Sequence, residues 1–244
     1  MENKTRILVM GASGFCGRGV LNELSGDERY SVWAHVRPES NSRDSLTELC
    51  SELQHQILPC SMDELSQHIQ EIQPTVISSF IGTTQKKMKP LGLTYEDVDY
   101  GINHELALSG LKLENPPLFV YVSSMGIEWS RWSSYLKARE MVESMLEESG
   151  LPHVILRPAI LSGPTRTESR PMEHIGAVVS GGMANAMKAI GWQQKSDEMM
   201  PLTASKMGRA VQLLVKEWMT SGSSKDYSKT ILVHEIHALL RDSL

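Results

Sequence analysis

The stretch "RILVMGASGFCGR", residues 6–18, runs an apolar strand directly into three glycines, Gly11, Gly14 and Gly17. Glycines at this spacing permit a tight turn and let the backbone come close to a pyrophosphate, while the helix that follows aims its N-terminus at the anion. Glycine-rich turns also arise for local reasons; the position between a first strand and a first helix is what favours a dinucleotide. Gly11, Ser13, Gly14, Phe15, Cys16 and Gly17 are therefore candidate cofactor contacts, with Cys16 also readable as a small filler. An NAD site carries an acid about 20 residues past the glycines, to hold the ribose 2′-hydroxyl. Here the second strand ends in "AHVRPES", which puts Arg37 in that place, and Arg18 directly follows the last glycine. Two guanidiniums suit a 2′-phosphate, which they grip through forked hydrogen bonds. NADP(H) is preferred over NAD, against the alternative of two solvated surface arginines.

Outward from this turn, short apolar runs alternate with helix-period segments. "RILVM" (6–10), "SVWAHV" (31–36), "HQIL" (55–58), "TVISSFI" (75–81), "LFVYVSS" (118–124) and "HVILRP" (153–158) read as six strands. Amphipathic stretches lie between them at 15–24, 43–54, 63–71, 96–113 and 130–149. This order predicts βαβ units, hence an α/β fold with a doubly wound parallel sheet covered on both faces. Ligands of such sheets bind beyond the carboxyl ends of the strands. That marks Gly82, Thr83 and Thr84 after the fourth strand as candidate ribose contacts, Ser124 after the fifth, and Pro158 after the sixth as a backbone-shaping residue. Past Pro158 the alternation is lost. Residues 159–229 read as a small C-terminal extension closing over the strand ends, so that 1–244 forms one domain. "TILVHEI" (230–236) is a last apolar run. His234 and His237 would share a face on a helix and oppose each other on a strand, so no metal is assigned.

The chain has 244 residues, 41% hydrophobic and 22% charged, with net charge −5. No basic surface is available for nucleic acid or an anionic membrane. No apolar run approaches the ~20 residues of a bilayer span. Three cysteines, Cys16, Cys50 and Cys60, form no disulfide or zinc pattern. With no signal or transit peptide evident in "MENKTRILVMG", the expected location is a reducing compartment, most simply the cytosol.

"SSYLKARE" (133–140) places two cations after a tyrosine. At about 100° per helical residue, Tyr135 and Arg139 lie within roughly 40° of each other, and Lys137 points away. Trp132, Tyr135, Leu136, Arg139, Val142, Met145 and Leu146 form the inward stripe, which leaves Trp132 as a packing residue and Trp129 as a candidate pocket wall. Arg139 thus puts a permanent charge on a buried face. A carboxylate or an anionic ligand must meet it, or its stem must carry it to solvent. Ser124 and Tyr135 can converge on a substrate carbonyl, Ser124 bonding the oxygen while Tyr135 exchanges the proton, since a neighbouring cation favours a phenolate.

"GASGFCG", "VSS" and a tyrosine followed four residues later by a cation resemble the short-chain dehydrogenase/reductase superfamily. "FIGTTQKK", "SSYLKARE", "ILRPAIL" and "TRTESRP" are similar to its atypical branch, the one that includes the Tat-interacting tumour-suppressor protein. The resemblance extends over nearly the whole chain. It implies a Rossmann fold, NADPH binding and a Ser–Tyr–Lys type of site, with Ser124 and Tyr135 in the first two roles and Arg139 where the family has its lysine. That lysine bonds the nicotinamide ribose. Arginine keeps the charge but is planar and bulkier. Many relatives also place an acid near the adenine after strand three, where "LPCSMDE" offers Cys60 and Ser61 first and Asp63 late. Two readings follow: an NADPH-dependent oxidoreductase acting on a small carbonyl-like substrate, or an NADPH-binding sensor that answers to a protein partner with little turnover.

Overall fold

The computed structural model describes residues 4–83, 88–159, 161–162 and 200–243. Among these residues, seven parallel strands form one sheet in the order β3-β2-β1-β4-β5-β6-β7. They are β1 (Thr5–Met10), β2 (Tyr30–Val36), β3 (Gln56–Pro59), β4 (Val76–Ser79), β5 (Leu118–Val122), β6 (His153–Arg157) and β7 (Ser228–Leu232). The helices are α1 (Phe15–Leu24), α2 (Arg43–Glu52), α3 (Leu65–Ile72), α4 (Gly101–Leu111), α5 (Ser134–Ser149), α6 (Ala204–Thr220) and α7 (Val233–Arg241). All six strands expected from the apolar runs are present, and the helices between them keep their places.

Successive residues of a strand face opposite sides of the sheet, and β1 shows why both sides are covered. Ile7 and Val9 pack with Val20 and Leu21 of α1 and with Val211 and Leu214 of α6. Leu8 and Met10 pack with Ile69 of α3, Leu106 of α4, and Val142 and Leu146 of α5. Each fully buried side chain of this size contributes about 1.5–3 kcal/mol.

The strand order reverses between β1 and β4, since β1 pairs with β2 on one side and β4 on the other. Chain crossings diverge there and leave a crevice at the strand ends. Gly11 sits at this point with φ +70, and an added Cβ would lie 2.8 Å from the backbone carbon and oxygen of Phe80. The same absence of side chains joins α1 to α6. A Cβ on Gly208 would fall 2.3 Å from the Gly19 oxygen, and one on Gly19 would fall 2.0 Å from the Ala204 oxygen.

The apolar run "TILVHEI" divides between two elements: β7 ends at Leu232 and α7 begins at Val233, where the Glu235 carboxylate accepts the Leu232 N–H at 2.7 Å. One expectation needs correction. Trp132 is not on the inward stripe. It closes a 3-10 turn, Ile127–Trp132, and is 74% exposed, because the α-helical phase starts only at Ser134, behind the Ser133 N-cap. Thr84, "TRTESRP" and the helical stretch around 172–190 lie outside the described residues.

Candidate active site

The glycine turn is closed by a hydrogen bond from the Gly14 N–H to the Gly11 carbonyl at 2.9 Å. Gly17 fits against this turn only because it lacks a Cβ, which would sit 2.4 Å from the Gly11 oxygen. Gly14 gives α1 no side-chain cap, and no acidic residue occupies the first turn. The positive end of α1 therefore faces the crevice without a competing carboxylate, a cradle suited to a pyrophosphate. Cys16 is buried in the turn, whereas Ser13 and Phe15 are half-buried.

Arg18 is held in place. Its Nε donates to the Ser13 carbonyl at 3.1 Å and its Nη2 to the Ser45 hydroxyl at 2.9 Å, in the first turn of α2. Arg37 is exposed just past β2, 3.6 Å from the Glu39 carboxylate. A pair this exposed contributes little and is readily exchanged. Ser45 has no signature in the sequence, since its role depends on α2 packing beside the glycine turn.

Beyond β4, Gly82 is exposed and Thr83 half-buried. Beyond β5, Ser123 and Ser124 point to different surroundings. Ser123 is buried and bonds Glu143 of α5, which also takes an ion pair from Arg157 at the end of β6. Ser124 is half-buried, with Oγ donating to the Met125 carbonyl at 3.1 Å. Pro158 is buried, and its carbonyl accepts the Met125 N–H at 2.9 Å, tying the ends of β5 and β6 together.

Tyr135 lies half-buried in the first turn of α5. Its ring meets Tyr95 edge-on at 5.4 Å, and the Arg139 guanidinium lies 5.2 Å from its centre. Arg139 and not Lys137 is the neighbour; Lys137 pairs outward with Glu140 at 2.7 Å. A cleft of about 600 Å³ lies on the Lys137 side of α5, lined in part by Tyr95, Ser134, Lys137 and Met141 and not by Tyr135 or Arg139.

Of the three ways to satisfy a charge on the buried stripe, the fold uses a carboxylate. Arg139 is 6% exposed, and its Nη2 is 3.0 Å from Oδ1 of Asp99, a residue 0% exposed. Its Nη1 donates to the Val122 carbonyl at 2.6 Å and to the Tyr121 hydroxyl at 3.0 Å. Burial opposes the arginine's charge, but Tyr121, Tyr135 and Asp99 outweigh it and hold its pKa above the ordinary value. Burial also raises the Asp99 carboxyl, with Arg139 pulling the other way. Asp99 was not singled out in the sequence. The one available sign was Arg139 itself, whose buried charge required a partner.

A profile of the NAD(P)H-binding family matches residues 11–186. The chain belongs to this family. Protein fmp52, mitochondrial, from Emericella nidulans is 24% identical over 199 residues, 78% of this chain and 82% of the relative. Protein fmp52-1, mitochondrial, from Aspergillus terreus is 30% identical over 127 residues, 51% of this chain and 53% of the relative. Among solved structures, UDP-glucose 4-epimerase from Brucella ovis in complex with NAD matches with a TM-score of 0.64 at 15% identity, covering 95% of this chain and 80% of that one. The Rossmann-type α/β fold expected from the motifs is thus confirmed. The cytosolic expectation is overturned, because these relatives are named as mitochondrial. An N-terminus without an evident presequence does not decide the compartment.

Proposed function

We propose that the protein is an NADP(H)-dependent oxidoreductase, acting in mitochondria on a small carbonyl-like substrate. The observation that carries this reading is the placement of Tyr135, half-buried, with its ring against the Arg139 guanidinium at 5.2 Å. The glycine turn and the N-terminus of α1 would hold the pyrophosphate, with Ser13, Phe15 and Cys16 beside it. Gly82 and Thr83, with Thr84 next in sequence, would meet the ribose side, and Pro158 would shape the nicotinamide end. Arg18, fixed by Ser45, and Arg37, held only by an exposed carboxylate, would take the 2′-phosphate. The bound nicotinamide supplies hydride chemistry. Tyr135 would pass its hydroxyl proton to the carbonyl oxygen as hydride reaches the carbon, and Ser124 would donate a hydrogen bond to that oxygen.

A second reading is favoured by the partners of Arg139. Its Nη groups are occupied by Asp99, Tyr121 and Val122, which supports a cofactor-binding sensor with little turnover and a protein partner. Titration with NADPH and with NADH, read by tryptophan fluorescence, tests the shared part. NADPH should bind more tightly, and Arg18→Ala or Arg37→Ala should each weaken NADPH about tenfold or more while leaving NADH unchanged, the effect of one lost charge-assisted phosphate contact. Equal affinity for the two dinucleotides, unmoved by either substitution, refutes the NADP preference. A carbonyl panel with wild type and Tyr135→Phe then separates the readings, since turnover abolished by the phenylalanine supports the enzyme and no turnover in wild type supports the sensor.

A further inference from the structure

We propose that Asp99 is the positioning residue of this site, coupling the loop after β4 to the Tyr135 helix through Arg139. The proposal rests on the reading of Gly82 and Thr83 as cofactor contacts.

The chain enters α4 through a π-helical turn, Glu96–Tyr100, that contains Asp99. Such turns widen the helix by one residue and re-aim side chains, and they concentrate at functional positions. This one is anchored at both ends. The Thr94 N–H and hydroxyl bond the Asp97 carboxylate at 2.8 and 2.7 Å, and Asn103 Nδ2 donates to the Asp99 carbonyl at 2.6 Å. With its backbone so fixed, Asp99 holds a carboxylate fully out of solvent, where it meets two groups from other elements. One is Arg139 Nη2, at 3.0 Å. The other is the backbone of Gly82, in the loop after β4. The loop also lies directly on the ion pair: a Cβ on Gly82 would be 2.4 Å from Arg139 Nη2 and 3.7 Å from Asp99 Oδ1. From the guanidinium the chain of contacts continues to the Tyr135 ring at 5.2 Å and to the Val122 carbonyl at the end of β5.

One carboxylate therefore fixes both a loop placed to touch the cofactor and the cation beside Tyr135. A displacement of either is felt by the other, because a buried guanidinium with three directed partners has no second low-energy position nearby. Arg139 accordingly acts from beneath the loop as part of a clamp.

The test is hydrogen exchange of Asp99→Asn and of the double variant Asp99→Asn/Arg139→Gln, with and without NADPH. The double variant removes both charges and so keeps the test valid should the single variant fail to fold. In wild type, NADPH should slow exchange at 11–18, at 80–83 and at 134–140 together. In a folded variant lacking the carboxylate, protection at 11–18 should persist while protection at 134–140 is lost, and NADPH affinity should fall about tenfold, the loss of one charge-assisted contact. Without cofactor, exchange at 80–83 and 134–140 should rise in concert. If the double variant recovers both thermal stability and full NADPH protection at 134–140, Asp99 is merely structural and the proposal is overturned. Absence of protection at 11–18 in wild type is a separate result that defeats the cofactor reading; independent loosening of 80–83 and 134–140 in the ligand-free variant defeats the coupling.

Discussion

Replacing Gly11 with alanine imposes two costs that a matched substitution can separate. Gly11 has φ +70, and its Cβ position lies 2.8 Å from the backbone of Phe80. Gly26, in the turn after α1, has φ +72 with nothing within 4 Å. An alanine in the left-handed region costs about 1–2 kcal/mol at either site. The entropy an alanine removes from the unfolded chain is the same for both and cancels in the comparison. Only at Gly11 must two backbones also move apart. Both are pinned, since the Phe80 N–H bonds the Met10 carbonyl at 3.0 Å and the Gly11 carbonyl holds the Gly14 N–H. Relief of such a contact costs a further ~1–3 kcal/mol, as overpacking does. Gly11→Ala should therefore lose about 2–5 kcal/mol in all, roughly 10 °C in Tm for a chain of this size, against roughly 5 °C for Gly26→Ala. Thermal unfolding by circular dichroism supplies the numbers, and NADPH titration of the folded variants should show weaker binding for Gly11→Ala alone. Equal losses of stability at the two sites would refute the reasoning, because the turn and the end of β4 would then not be in limiting contact.

Two further outcomes are expected. Burial lowers the pKa of His35, whose Nε2 lies 3.1 Å from the Cys60 carbonyl, and burial does the same for His55 beside the Leu21 carbonyl. A histidine kept neutral by the fold contributes stability above its unfolded pKa, 6.5, that is lost as pH falls below it. Stability should therefore fall between about pH 7 and pH 5, by at most about 1.4 kcal/mol per pH unit for each proton taken up, and Tm with it, and His35→Gln should flatten the slope; an unchanged slope would place the acid sensitivity elsewhere. Glu143→Ala should cost about 3 kcal/mol in urea unfolding, since it strands Arg157 and Ser123 at the ends of β6 and β5, and Glu143→Gln, which still accepts from Ser123, should lose less; equal losses would remove Ser123 from the network.

The strands were legible because each is short, apolar and bounded by turn residues, and the doubly wound arrangement followed from their alternation with helices. β7 escaped because "KTIL" and "VHEI" are equally apolar, and only the Glu235 cap on Leu232 divides them. At the site, helical phase was enough to choose Arg139 over Lys137 as the neighbour of Tyr135. The identity of its partner was not legible, because Asp99 stands 40 residues earlier and reaches inward through a π-helical turn, for which periodicity gives no signal. Trp132 failed for the same kind of reason: the stripe was extended past the residue where helical geometry begins.

The backbone-to-backbone seam between Gly19 and Gly208 has a consequence for how this chain is made. The helix that begins at the glycine turn leaves the ribosome early, yet the surface that covers it is encoded nearly two hundred residues later. During synthesis the apolar side of α1, with Val20, Leu21 and Leu24, has no α6 to meet. Translation at about 5–20 residues per second leaves that side waiting for roughly ten seconds or more. The glycine turn, too, stands without its final support until α6 has been made.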